Sequence, residues 1–321
     1  MGPFGWSGRR SVAVLLVLML LAAARWGLRD VLWAIHDNWT HIYGDFAHGY
    51  LVLAMCSWLV VRDFRLQPYS PEAPWWPALP MLGVMVLALA MLLAWDIQSL
   101  SQALVPAIAT AVVAAVAGLG VARRLIWPVV LLYTAIPVWW LLNAPLQQLT
   151  AAVANGLVQL TGVPAFVEGN TFNLPAGVVQ VASGCSGLNY LVVSLALGLF
   201  QGLLYLRTWK SRIKVLVAAV VVALLSNWLR VYTLILVGYA TDMRHYLIRV
   251  DHLTFGWVLF MVCFWPVLRL GARLANKEGD EPSPARFSTQ PVATSLRPML
   301  IAGLAAAALL LVPGLAGLLL D

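Results

Sequence analysis

Residues 214–237 read KVLVAAVVVALLSNWLRVYTLILV, with Lys214 and Arg230 as the only charges in the run. A helix needs roughly 20 mostly apolar residues to cross about 30 Å of hydrocarbon. The stretch therefore reads as a membrane-spanning helix that carries a guanidinium inside it. Comparable apolar runs lie at 11–28, 47–61, 77–95, 100–120, 126–143, 187–206, 252–270 and 298–319, which makes nine candidate spans. Composition points the same way, with 62% hydrophobic and 10% charged residues; a soluble domain has about 45–50% and about 25%. Fifteen tryptophans suit the two membrane interfaces. These proportions exclude an ordinary soluble enzyme, a disordered chain and a secreted disulfide scaffold. Cys56, Cys185 and Cys263 are too few and too scattered for a disulfide framework or a zinc site.

Basic residues concentrate on the cytoplasmic side of membrane proteins. With Arg9 and Arg10 placed there, alternation of sides puts Arg62, Arg65, Arg123, Arg124, Arg207, Lys210, Arg212, Lys214, Arg269, Arg273, Lys277, Arg286 and Arg297 with them, or 15 of the 20 basic residues. The net charge of +7 is thus sorted by membrane side and is not a nucleic-acid footprint. The first run, following Arg9 and Arg10 and ending in alanines, has a second reading as a signal peptide. All five histidines fall on the outer side, as does the long connection 144–186.

Within that connection, Leu146, Leu149, Ala152, Val153, Leu157 and Leu160 share one helical face, as expected for an amphipathic helix lying at the interface over 145–161. Phe166 to Val181 alternates, with Asn170, Asn173, Pro175 and Gly177 as turn residues, and predicts a short hairpin or ribbon. The expected fold is an all-α polytopic membrane protein: about eight core transmembrane helices plus one C-terminal span, with the amphipathic helix and the β-hairpin-like segment ahead of Cys185. Residues 1–270 form the expected catalytic domain, 271–297 a polar, Pro-rich cytoplasmic linker, and 298–321 an additional span contributing little to the core.

Three residues could carry chemistry. Cys185 lies in Ser183-Gly184-Cys185-Ser186-Gly187, where a turn becomes a helix. A thiol at a helix N-terminus meets the positive end of the dipole, which favours thiolate. Free N–H groups there can receive an oxyanion, and Gly184 and Gly187 would let a substrate backbone come close. A buried cysteine beside a packing glycine is the plainer reading. Arg230 costs on the order of 2.5–3.5 kcal/mol at a helix centre and so needs a partner or a task, unless it snorkels to the interface. Asn227 is three residues back on its face. His252 opens the eighth span with Gly256 one turn on, where another helix could pack closely; an interfacial polar residue is the alternative. His48 opens the second span in a similar way, after Asp45. A nucleophile, a cation and a titratable base at one outer boundary make a cysteine-protease-like set. No cofactor and no metal is indicated: the histidines lack ligand spacing, and there is no Gly-rich nucleotide loop.

Ala182-Ser183-Gly184-Cys185-Ser186-Gly187-Leu188, then Asn227-Trp228-Leu229-Arg230-Val231, then His252 with Gly256, resembles the exosortase/archaeosortase family of polytopic cysteine transpeptidases. Asp45-Phe46-Ala47-His48-Gly49-Tyr50-Leu51 is similar to the family's early His-Gly segment, and Glu168-Gly169-Asn170 through Leu174-Pro175-Ala176-Gly177 to its stretch before the cysteine. The resemblance covers about residues 10–270. It implies Cys185 as nucleophile, Arg230 as stabiliser of the oxyanion or thiolate, and His252 as acid/base, with His48, Asn227, Ser186, Gly184 and Gly187 in support. It also implies a bacterial inner-membrane enzyme facing the periplasm. Its partners would be membrane lipid and exported proteins that end in a Pro-Glu-Pro-like motif, a transmembrane helix and a basic tail. A transporter with a polar vestibule, a non-catalytic scaffold for envelope polysaccharide assembly, and a plain hydrolase are the rival readings.

Overall fold

The computed structural model describes residues 4–41, 44–66, 73–249, 252–279 and 296–320. The chain runs α1 (Phe4–Gly27), α2 (Arg29–Thr40), α3 (Gly49–Leu66), α4 (Ala78–Ala94), α5 (Gln98–Ala117), α6 (Leu119–Arg124) and α7 (Ile126–Leu132). Two 3-10 turns, Tyr133–Ala135 and Pro137–Leu142, lead into α8 (Asn143–Leu160). Strands β1 (Phe166–Glu168), β2 (Thr171–Leu174) and β3 (Gly177–Gln180) follow, then the 3-10 turn Ser183–Cys185. The rest is helical: α9 (Leu188–Tyr205), α10 (Trp209–Ala240), α11 (Tyr246–Arg249), α12 (His252–Glu278), α13 (Leu296–Leu310) and α14 (Val312–Leu320).

Each of the nine apolar runs is largely helical where described, but fewer meet the demands of a full span. Among the described residues, five helical segments are long and apolar enough to cross a membrane: α5, α9, α10, α12 and Arg297–Gly317. A sixth is added if Ile126–Ala135 and Pro137–Leu160 count as one broken span. The other expected runs fall short of this length and hydropathy test for local reasons, and Ala13–Gly27 and Ala78–Ala94 are shorter apolar helices. α3 ends in Arg62, Asp63 and Arg65, and α4 is only 17 residues long. The 126–143 run breaks at Ile136, whose backbone is extended (φ −96, ψ 139). Pro137 follows it, and a proline disfavours helical backbone in the residue before it.

Packing divides the chain into two compact units. In the first, α1, α4, α5, α13 and α14 surround a core of Leu82, Val86, Leu89, Ile108, Ala306 and Leu310. Contrary to the expectation that the last span contributes little, Ala302 and Ala306 are fully buried. Small residues allow this. A Cβ on Gly303 would collide with the Leu16 side chain, and one on Gly27 with the Leu310 carbonyl, so these backbones approach as closely as small-residue membrane interfaces permit. Arg124 is buried in the same unit. It donates to Asp63 Oδ2 at 2.7 Å and to the Asp63 carbonyl at 3.0 Å, so its charge is paired.

The second unit holds residues 44–48, α8, the sheet and α9 to α12. The sheet is a three-stranded antiparallel meander in the order β1-β2-β3, one strand more than the predicted hairpin. Its register pairs Phe166 with Asn173, Thr171 with Gln180, and Leu174 with Gly177. Phe172, Leu174 and Val181 bury themselves against Ala151, Ala154 and Val158 of α8 and against Val231 and Ile235 of α10. The packed face of α8 is therefore Thr150, Ala151, Ala154 and Val158. The leucine face anticipated from sequence turns outward, with Leu149 and Leu160 exposed, the orientation of a helix whose apolar stripe meets lipid.

Below the sheet, α9, α10 and α12 pack through Leu191, Val215, Ala219, Phe260, Phe264 and Val267. The expected linker begins later than predicted, because α12 continues to Glu278. There the carboxylate accepts the Arg207 N–H and the Thr208 hydroxyl, each at 2.6 Å, tying the end of α12 to the α9–α10 connection. Residues 280–295 of that linker, including Arg286, and Asp251 lie outside the described residues.

Candidate functional site

The site is assembled on the turn that joins β3 to α9. The Cys185 N–H donates to the Ala182 carbonyl at 2.9 Å and the Ser186 N–H to the Ser183 carbonyl at 3.1 Å, closing a single 3-10 turn. Gly187 then adopts a left-handed backbone (φ 95) and α9 starts at Leu188. The Ser186 hydroxyl accepts the Leu188 N–H at 3.2 Å, so this side chain caps the helix. Ser186 is thereby explained as a structural part of the turn.

Asn227 of α10 reaches this turn from the other side. Its Nδ2 donates to the Cys185 carbonyl at 3.0 Å and to Thr150 Oγ1 at 3.2 Å. Thr150 in turn donates its hydroxyl hydrogen to the Ser186 carbonyl at 3.0 Å. Gln147, one turn earlier on α8, donates to the Val181 carbonyl at 2.6 Å. The backbone from 181 to 186 is thus held by three side chains.

The two glycines of this segment differ. A Cβ on Gly187 would lie 2.8 Å from Asn227 Nδ2, so the space expected for a substrate backbone is filled by Asn227. Around Gly184 nothing lies within 4 Å, which leaves that side of the turn open. The Cys185 thiol is half-buried and makes no hydrogen bond among the described residues.

Arg230 follows Asn227 on the buried face of α10 and is 4% exposed. The Tyr190 ring of α9 lies beneath it, with the guanidinium carbon 5.8 Å from the ring centre. On the α12 side, a Cβ on Gly256 would lie 2.6 Å from Arg230 Nε and would also overlap Tyr190 Oη. Gly256 is bare so that these two groups fit, which is the close approach its position predicted. Tyr190 is held in turn by Phe260 (ring centres 5.0 Å apart) and Trp257 (5.7 Å). Among the described residues no carboxylate pairs with Arg230, and its Nε is buried without a hydrogen-bond partner. A buried cation with no carboxylate among the described residues is costly, so the site suits an anion or a developing negative charge.

His252 begins α12, one turn before Gly256 on the same helical face. It is half-buried and makes no hydrogen bond among the described residues. The contacts therefore bring Asn227 onto the Cys185 turn, with Arg230 three residues along the same helix packed on Tyr190 and Gly256; they place His252 a turn from the Arg230 notch, and no hydrogen bond among the described residues joins Arg230 or His252 to the thiol. His48 stacks on the buried Phe46 ring, with centres 6.4 Å apart. Sequence reasoning missed Thr150 and Tyr190. Thr150 lies at the edge of the α8 leucine stripe, one turn after Leu146, where a lone hydroxyl draws no notice, and an aromatic residue in an apolar run carries no signal by itself. Among the described residues no three His, Cys, Asp or Glu side chains cluster as a metal site.

A family model described as transmembrane exosortase matches residues 39–269. The chain belongs to the transmembrane exosortase family. No curated protein and no solved structure gives a match. The exosortase match takes in His48, Cys185, Asn227, Arg230 and His252. It ends inside α12, so α13 and α14 lie beyond the exosortase region. Together with the apolar helices, family membership makes this a multi-pass membrane protein.

Proposed function

We propose that this chain is a membrane-embedded cysteine endopeptidase and transpeptidase. It would work at the periplasmic face of the bacterial inner membrane, with eight core helices and one further span. Its substrates would be exported proteins ending in a Pro-Glu-Pro-like motif, a transmembrane helix and a basic tail. The observation that carries this reading is the buried Arg230, which no carboxylate among the described residues pairs, on the same helix face as the Asn227 that grips the Cys185 turn.

The chemistry follows from these groups. His252 takes the thiol proton, and Cys185 Sγ bonds to the carbonyl carbon at the cleavage point. The carbonyl pair moves onto oxygen, and Arg230 and backbone N–H groups of the turn offset that charge. Collapse re-forms the C=O and breaks the C–N bond, and the departing amine of the tail takes the proton from His252. The thioester is then attacked by an acceptor N–H or O–H, whose proton passes to His252 and on to the released thiolate. Asn227 orients the nucleophile's backbone and does not touch the reacting atoms.

The test is processing of a tail-bearing protein in membranes by wild type and Cys185→Ala. Cleavage is expected from wild type and none from the variant; full processing by Cys185→Ala would overturn the reading. Mass analysis of the product then separates transfer from hydrolysis.

A further inference from the structure

The nucleophile turn is held by three linked hydrogen bonds that the proposed chemistry does not itself require. Asn227 Nδ2 gives one hydrogen to the Cys185 carbonyl and the other to Thr150 Oγ1. The Thr150 hydroxyl gives its only hydrogen to the Ser186 carbonyl. Thr150 is 1% exposed, so water cannot take over this bond when the hydroxyl is removed. An unmade buried bond has a larger consequence than an unmade surface one.

The peptide unit between Ser186 and Gly187 is trans, so its N–H points away from its C=O. Thr150 draws the Ser186 carbonyl toward α8, which turns the Gly187 N–H to the opposite side. That N–H has no protein partner among the described residues, although the next one, on Leu188, is capped by Ser186. Gly187 can hold this orientation because its left-handed backbone (φ 95) suits glycine.

We propose that Thr150 is a positioning residue of this site: by holding the Ser186 carbonyl it presents the Gly187 N–H as the backbone donor for the acyl oxygen during attack by Cys185. This rests on the cysteine chemistry proposed above and adds to it the donor and the residue that aims it. Thr150 touches no reacting atom and acts through the peptide plane.

Two reagents separate positioning from folding and from thiol reactivity. Iodoacetamide alkylates a thiol without forming an oxyanion. A p-nitrophenyl ester acylates it through a tetrahedral oxyanion. Both rates are measured on the full chain in membranes or detergent, with Cys185→Ala subtracting labelling at Cys56 and Cys263. Losing one oxyanion donor typically costs about 10²–10³ in rate, so loosening one is expected to lower acylation by about tenfold in Thr150→Val. Alkylation should stay within about twofold, and Thr150→Ser should restore acylation because it keeps the hydroxyl.

The proposal is overturned if the ratio of acylation to alkylation is the same in wild type and Thr150→Val, or if both rates fall together. It is also overturned if Thr150→Ser is as slow as Thr150→Val. None of these readouts uses the tail-bearing protein. Failure of the cleavage reading appears separately, as full processing by Cys185→Ala.

Discussion

Gly256 lacks a side chain at the point where Arg230 needs room: a Cβ there would lie 2.6 Å from Arg230 Nε and 2.8 Å from its Cδ. The Tyr190 hydroxyl occupies the same notch. Three helices therefore meet at one missing methyl group, and the guanidinium cannot shift toward α10 because it is already buried there.

Gly256→Ala tests this meeting point. The added methyl must displace Arg230 or Tyr190, and overpacking of this kind typically costs about 1–3 kcal/mol. Thermal denaturation in detergent should show lower stability, and processing of a tail-bearing substrate should fall in the molecules that remain folded. A wild-type midpoint and rate in Gly256→Ala would show that the notch has slack.

The two glycines flanking Cys185 should respond oppositely to alanine. Gly187→Ala puts a side chain on a left-handed backbone and within 2.8 Å of the Asn227 amide, so it should lose about 1 kcal/mol or more and loosen the turn. Gly184→Ala meets nothing within 4 Å and should leave the midpoint nearly unchanged. Any loss of processing by Gly184→Ala would then report on substrate approach. Equal midpoints for both variants would contradict the geometry.

Arg230→Lys and Arg230→Met should both be poor enzymes, with losses of about 10²–10³. Lysine keeps a point charge but not the planar fork held over Tyr190. Stability should move the other way, because methionine removes a buried charge that no carboxylate among the described residues pairs. An Arg230→Met variant that is less stable yet still active would assign Arg230 to the fold alone.

Asp45 gives a pH signature. Burial pushes its carboxyl above the ordinary value. A group whose pKa is raised by folding contributes stability that is complete below its unfolded pKa and is lost as pH rises through the folded one. Asp45→Asn, neutral throughout, should flatten that part of the stability profile above about pH 4. Denaturation midpoints of both proteins from acid to neutral pH give the comparison. A variant whose deficit grows toward neutral pH would show that the ionised form of Asp45 is stabilising.

Legibility from sequence follows the physics of each feature. Spans stand out because a bilayer demands long apolar runs, and Gly256 stands out because a bare position one turn from His252 invites a neighbour. The break at Ile136 is lost inside an apolar run, since the proline effect competes with hydropathy that does not change. The leucines of α8 mark an interfacial helix, and Leu149 and Leu160 do face out, but the leucine pattern does not say that small and hydroxylated residues pack beside them. Thr150 is hidden for the same reason: its hydroxyl matters only once the sheet and α10 bring Ser186 and Asn227 to it.

The burial of Ala302, Ala306 and Leu310 has a practical consequence for shortened versions of this protein. Ending translation at the Pro-rich segment would strip a layer from the helices it covers, leaving Leu16 and Gly27 facing a vacancy. A protein cut short where the match ends, at residue 269, is therefore a poor minimal enzyme, even though every residue placed in the chemistry would survive.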